Sequence, residues 1–275
     1  KKMNDPMNKS EYIEASVNYE NIIKEAIKTS QPLVGPRIDV NELTSEYVDN
    51  VKSGFMKGIL DLSKKYKKLR KVRGDGNCFY RAFTFSLFEN LIDRLNDQST
   101  TADAEKQVSR MIQIVKESSP TLIQLGYEEL SFDVFHSTFL ELLALLNVNN
   151  LTHESLEVKF NEEGGTGEYI VWFCRLLTSL FVKTHPDRFT PFLEYGDNIN
   201  NFCAREIEPV GVECEQIQII ALSEQLEVGV KIEYLDGEDF DEKSGLNSIK
   251  VNMESKNDAE VVLLFRPGHY DIIYE

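Results

Sequence analysis

The strongest chemical signal in this sequence comes from a cysteine, a histidine and an aspartate. Cys78 opens an apolar helical run, and His269 stands two residues before Asp271 near the other end of the 275-residue chain. A thiol attacks a carbonyl usefully only as thiolate, so a nucleophilic cysteine needs a helix N-terminus, a cationic neighbour or an imidazole that takes its proton. Cys78 has the first by sequence. Gly74-Asp75-Gly76-Asn77 favours a tight turn, and CFYRAFTFSLFENLI has helical apolar spacing. The N–H groups of a first helical turn lack internal partners, and their partial positive charge favours an anion there. Together with the loop Asp75-Gly76-Asn77-Cys78 they can also receive the oxyanion of a tetrahedral intermediate, where one donor is typically worth about 10²–10³ in rate. His269 begins HYDIIY, which reads as a strand, so alternation puts His269 and Asp271 on one face. Asp271 is then placed to orient the imidazole and stabilise its cation, in a relay ordered Cys, His, Asp.

Bringing residue 78 to residues 269 and 271 takes both helices and strands. Residues 11–28 read as an amphipathic helix with Ile13, Val17, Ile22, Ile23 and Ile27 as its apolar positions. Residues 30–36 hold two prolines and a glycine, which stop a helix and suggest a hinge between an N-terminal arm, residues 1–30, and a body, residues 31–275. A second helical stretch is expected at about residues 44–69. In the middle of the chain MIQIVKESS, FDVFHSTFLELLALL and EYIVWFCRLLTSLFVK are too long for strands, and the last, residues 168–183, is apolar all round and should be central to the core. QIQIIALSEQL reads as a helix, and strands then take over. Val228, Val230, Ile232 and Tyr234 alternate, and EVVLLF and HYDIIY flank Arg266-Pro267-Gly268 as a hairpin. Residues 236–242 read as an exposed acidic loop.

The remaining candidates have plainer explanations. His136 has Phe135, Phe139 and Leu140 as helical neighbours and reads as a polar group at a core edge; His153 and His185 sit in loop-like sequence. Cys174, Cys203 and Cys214 show no CxxC pairing and read as packing residues, free in a reducing compartment, which points to cytosol or nucleus. Residues 162–167 are glycine-rich but lack the lysine of a phosphate loop. No ligand set for a metal is visible, and thiolate plus imidazole need no cofactor.

The charge of −16, from 46 acidic against 30 basic residues, argues against a nucleic-acid partner and suits a basic protein one. The basic stretch of residues 64–73 reads as a solvated helix end, or as a source of positive potential just before Cys78. No apolar run reaches the roughly 18–20 residues of a membrane span, and no secretory signal is visible at the N-terminus.

Gly74-Asp75-Gly76-Asn77-Cys78-Phe79-Tyr80-Arg81-Ala82-Phe83 resembles the cysteine motif of ovarian-tumour-domain deubiquitinases, and Arg266-Pro267-Gly268-His269-Tyr270-Asp271-Ile272-Ile273-Tyr274 resembles the histidine motif of the otubain branch. Segments at residues 175–179, 206–209 and 218–222 agree, so the resemblance runs over roughly residues 31–275. It implies a papain-like α/β (α+β) fold, with a small C-terminal sheet packed between helices. It implies Cys78 as nucleophile, His269 as general base, Asp271 as orienter and Asp75 as a further catalytic-loop residue. It implies monomeric action on ubiquitin and polyubiquitin, with preference for chains joined through lysine forty-eight of ubiquitin. Binding and non-catalytic inhibition of ubiquitin-charged E2 enzymes, with residues 11–28 as the contacting arm, is implied too. Phe189, Phe192 and Ile207 become candidates for the ubiquitin-binding surface. Glu215-Gln216 departs from the Asp-His pair frequent in otubains. An ordinary papain-like peptidase ranks behind this reading.

Overall fold

Alternating and helical apolar patterns produce two kinds of element, which assemble into one mixed sheet covered on both faces. The computed structural model describes Ala26 and residues 30–48, 53–237, 245–253 and 259–275. In chain order come β1 (Val34–Asp39), a 3₁₀ turn (Val40–Glu46), α1 (Ser53–Lys65), β2 (Lys68–Val72), α2 (Cys78–Asn96), α3 (Thr101–Gln124), α4 (Glu129–Asn147), α5 (His153–Asn161) and α6 (Thr166–Thr184). Short helical turns at Pro186–Phe189, Thr190–Phe192, Ile199–Phe202 and Cys203–Ile207 precede α7 (Gln216–Gln225). The last strands are β3 (Val230–Tyr234), β4 (Asn247–Val251), β5 (Val261–Arg266) and β6 (His269–Tyr274). Among the described residues no helix is long and apolar enough to cross a membrane.

The sheet order is β1-β2-β6-β5-β3-β4, antiparallel except for the parallel β3–β5 pair. Its two faces follow from strand alternation. Leu263, Tyr270 and Ile272 join the large core around α2, while Leu264 and Ile273 join the core of α1 and the 3₁₀ turn. The odd residues His269, Asp271 and Ile273 thus share one strand face. The β5–β6 turn pairs Arg266 with His269 across Pro267 and Gly268. Gly268 has φ +74°, the conformation a Pro-Gly turn requires at its second position.

α2 is buried all round over most of its length, as is α6, which packs against α2, α4 and α7. α3 buries Ala104, Val108, Met111, Val115, Ser118 and Leu122, alternate steps of four and three that keep one face on the core. α4 packs on both α3 and α6. These helices hold α2 still, and α2 carries Cys78 at its first position.

Three expectations are corrected here. The stretch at residues 44–69 is not one helix: it is the end of a 3₁₀ turn, then α1, then the start of β2, because Leu69 and Val72 bury into the sheet while Lys68 and Lys71 stay out. The segment taken as a hinge becomes β1 from Val34 onward; Gly35 and Pro36 are tolerated because this is an edge strand, where a missing N–H costs no ladder bond on the outer side. The sheet is accordingly not only C-terminal, since β1 and β2 join it. Apart from Ala26, the helical arm at residues 11–28 lies outside the described residues, as does most of the acidic loop.

Candidate active site

Local chemistry explains why the chain turns sharply before Cys78. The Asp75 carboxylate accepts the Asn77 N–H at 3.0 Å, an Asx turn, and Gly76 sits at φ +78°. A Cβ on Gly76 would overlap the carbonyl of Gly211, so this loop lies backbone against backbone on Gly211. Arg81, one turn into α2 and 1% exposed, grips Asp75 with both terminal nitrogens, Nη1–Oδ1 2.9 Å and Nη2–Oδ2 2.7 Å. Burial alone would raise the Asp75 carboxyl; Arg81 and the Asn77 amide hold it below its ordinary value. Asp75 therefore shapes the loop as a fixed anion. The helical ladder starts with Arg81 N–H donating to Asn77 C=O at 3.0 Å, so the first-turn N–H groups, Cys78's included, have no helical acceptor.

On β6, His269 Nε2 lies 2.9 Å from Asp271 Oδ1. Because a carboxylate only accepts, Nε2 is the protonated nitrogen and Nδ1 is left for Cys78. Nδ1 would lie 3.6 Å from a Cβ built on Gly74, an ordinary contact distance, so the ring packs beside the backbone just before the Asx turn. Burial by itself lowers the imidazole; hydrogen bonds with Asp271 and with the Cys78 thiol, and their charges, reverse this and push it from 6.5 up to about 9. Asp271 is wholly buried and fully partnered. Its Oδ1 also accepts the Val72 N–H at 2.9 Å, and its Oδ2 accepts Arg266 Nε at 3.0 Å and Nη2 at 2.6 Å. Burial would raise its carboxyl, but His269 and Arg266 keep it below the ordinary range. Arg266 is itself steadied by Glu46, Nη1–Oε2 2.7 Å.

The structure thus brings Cys78, His269, Asp271 and the Asp75–Asn77 loop to one place. A cleft of about 830 Å³ opens beside His269, with Pro32, Pro36, Lys71, Gly74 and Gly268 among its lining residues. Sequence reasoning assigned no role to Arg81, Arg175 or Arg266. The signal available was a cation inside an apolar run, CFYRAF and WFCRLL, since a buried charge needs a built set of partners.

Arg175 has such a set. Rising from the middle of α6 and 1% exposed, it donates from Nε and Nη2 to Asn77 Oδ1 (3.2 and 2.7 Å), from Nη2 to Gly76 O (2.9 Å) and Val212 O (2.8 Å), and from Nη1 to Ile207 O (2.9 Å). Its guanidinium also lies over the Tyr80 ring, 4.5 Å from the centroid.

Of the three surface candidates, only Phe192 is exposed, at 72%. Phe189 and Ile207, 2% and 0% exposed, are corrected: with Phe181, Val182, Cys203 and Ala221 they form a small core beneath that surface and offer no side chain to a partner. Glu215 and Gln216 begin α7, where Glu215 and Gln218 form a reciprocal cap. Cys174 and Cys203 are buried packing residues whose thiols burial pushes up, Cys203 to about 11. Cys214 is half-buried. His136 lies 3.0 Å from the Val115 carbonyl and against the Phe173 ring, a core-edge group as expected, while His153 starts α5 rather than sitting in a loop. The basic stretch is a solvated helix end only at Lys64 and Lys65, which close α1 with exposed side chains; from Lys68 onward it is β2 and the residue after it, and its arginines are not free cations. Arg70 meets Glu89 and Glu157 at 3.2 Å each, and Arg73 meets Glu163 at 2.6 Å and the Gln31 carbonyl.

Comparison with known proteins matches this arrangement to one family. A family model described as Peptidase C65 Otubain covers residues 26–275. Ubiquitin thioesterase OTUB1 of Homo sapiens is 35% identical over 96% of this chain and 91% of its own length, and ubiquitin thioesterase OTUB2 of Homo sapiens is 32% identical over 90% and 97%. The solved structure of h/ceOTUB1 with ubiquitin aldehyde and UBC13~Ub superposes with a TM-score of 0.83 at 30% identity, covering 96% of this chain and 98% of that one. The fold is therefore the papain-like fold of that group, and the chain belongs to the otubain family, peptidase C65.

Proposed function

We propose that this chain is a deubiquitinating cysteine isopeptidase in which Cys78 attacks the carbonyl at the end of a ubiquitin tail. The observation that carries the reading is the His269 imidazole, held by the buried Asp271 carboxylate at 2.9 Å and lying beside the Cys78 thiol at the head of α2. The printed names of the relatives, ubiquitin thioesterases, support the substrate class, as do solved structures of relatives holding ubiquitin aldehyde.

The chemistry runs in two halves. Cys78 Sγ, its proton held by His269, adds to the isopeptide carbonyl, and the charge that develops on oxygen falls beside the first-turn N–H groups of α2. Collapse breaks the C–N bond as His269 gives its proton to the departing lysine amine, leaving a thioester on Cys78. Water then enters; His269 takes one of its protons, the hydroxyl adds to the thioester carbonyl, and the C–S bond breaks to return the thiolate and release the acid, which gives its remaining proton to solvent and leaves as carboxylate. Asp271 keeps Nε2 as the donor and Nδ1 as the working nitrogen throughout, and Arg266 keeps Asp271 ionised and aimed.

The finer reading is preference for chains joined through lysine forty-eight of ubiquitin, together with non-catalytic restraint of ubiquitin-charged E2 enzymes through residues 1–30. Solved structures of relatives with UBC13~Ub and UBCH5B~Ub support the E2 part. A panel of linkage-defined di-ubiquitins, incubated with the protein and with Cys78→Ser, tests both levels. Release of monomer from one linkage, lost in the variant, is expected; cleavage of unfolded peptides instead would favour an ordinary peptidase. Removing residues 1–30 should weaken inhibition of a charged E2 with less effect on short-chain cleavage.

A further inference from the structure

An asparagine just before a helix ordinarily turns its side-chain oxygen back onto the N–H groups of the first turn. Asn77 does not: it makes no side-chain cap on α2, and its Oδ1 instead accepts Arg175 Nε, Arg175 Nη2 and, at 3.0 Å, the Gly211 N–H. The first-turn donors next to Cys78 are thereby left uncapped, in a buried place where leaving them so is unfavourable unless an anion arrives.

The partner that draws Asn77 away is itself unusual. Arg175 is buried, and among the described residues no carboxylate is bonded to it; its donors go to one carboxamide oxygen and three backbone carbonyls. Burial pulls its pKa down, so the site holds a cation at a cost that simple packing would not require. Two of its acceptors, Gly76 O and Asn77 Oδ1, belong to the loop before Cys78, and two, Ile207 O and Val212 O, belong to the facing segment. That segment is anchored again to α6 by Glu208, which accepts from Ser179 at 2.7 Å and Lys183 at 2.8 Å.

We propose that Arg175 is a positioning residue for catalysis: it holds the Asn77 carboxamide off the N-terminus of α2 and clamps the Gly76–Asn77 loop to residues 207–212, keeping the oxyanion site open before substrate arrives. The proposal rests on the reading of Cys78 as the nucleophile of a ubiquitin isopeptidase. Lysine at 175 retains the positive charge but has one nitrogen where arginine has three, so it cannot span these acceptors. Asn77 is then free to cap its own helix.

The test compares wild type with Arg175→Lys, and with Asn77→Ser in case the first variant does not fold; serine caps a helix well and is too short to serve Arg175 in the same way. On a ubiquitin C-terminal amide substrate, kcat should fall about 10²-fold or more, as for a lost oxyanion donor, with KM within about threefold. Ubiquitin aldehyde, whose adduct carries the oxyanion, should bind correspondingly more weakly, whereas alkylation of Cys78 by iodoacetamide, which needs no oxyanion site, should stay within about threefold. Wild-type kcat in both variants, or alkylation falling in step with kcat, overturns the proposal and leaves the isopeptidase reading intact. An inactive wild type would instead sink that reading. Amide hydrogen exchange decides the clamp in either case: exchange at Gly76–Cys78 about tenfold faster in Arg175→Lys supports it, and unchanged exchange overturns it.

Discussion

Replacing Asp271 by asparagine separates the electrostatic role of the third relay residue from its shape. The carboxylate accepts from Val72 N, His269 Nε2 and Arg266 Nε and Nη2, so all its neighbours are donors. An asparagine amide must point NH₂ at either His269 or Arg266, donor against donor. The net rise of His269 from 6.5 to about 9 corresponds to about 3–4 kcal/mol of stabilised imidazolium, and its partners supply more than this because burial opposes them. Asp271 shares that with Cys78, so losing the charge alone accounts for at least about tenfold in rate. Misorientation of the ring adds to this, and kcat/KM should fall about 10²–10³-fold. The sign of the pH effect follows from the same bonds: wild type loses activity as pH rises through about 9, where His269 gives up the proton it must deliver, and in Asp271→Asn that limb should move down toward 6.5. Stability should also fall, by about 2–4 kcal/mol, less than for a bare buried charge because Glu46 still pairs with Arg266. A pH profile of kcat/KM on a ubiquitin C-terminal amide, with a urea unfolding curve, reads all of this. Activity within threefold of wild type with the alkaline limb unmoved would refute the reasoning.

Gly76→Ala should displace the loop from Gly211 and force a left-handed alanine, lowering kcat at least about 10²-fold and stability by about 1–3 kcal/mol, measured by kinetics and thermal melting. Phe192→Ser should raise KM for ubiquitin substrates about threefold to tenfold without changing the urea midpoint, whereas Ile207→Ala should cost about 2–5 kcal/mol of stability because its side chain is core. Since the folded-state pKa of His269 is raised, its contribution to stability is complete below 6.5 and lost as pH rises through about 9. The stability difference between wild type and His269→Gln, followed by urea titration from pH 6 to 10, should shrink accordingly.

The parts of the site legible in the sequence are those fixed by local rules. Gly74 to Cys78 announces a turn followed by a helix, and the spacing of His269 and Asp271 gives them a common strand face, so the cysteine, histidine and aspartate that the structure brings together could be picked out without coordinates. What escaped depends on partners far along the chain. Lys68–Val72 is rich in charge and reads as helix, because nothing local says that Arg70 will be neutralised by Glu89 and Glu157. Phe189 and Phe192, three residues apart, are indistinguishable as residue types; only the packing of residues 199–207 decides that one is core and the other surface. Arg175 needed four acceptors from two distant stretches of chain before its burial made sense.

The central claim, that Cys78 attacks a ubiquitin tail with His269 as its base, is tested most directly by intact-mass analysis after exposure to ubiquitin bearing a C-terminal electrophile. One ubiquitin per chain, mapped to Cys78, absent in Cys78→Ser and slowed at least about 10²-fold in His269→Ala, is the expected result. Attachment at Cys214, or no adduct on folded protein, would contradict the account.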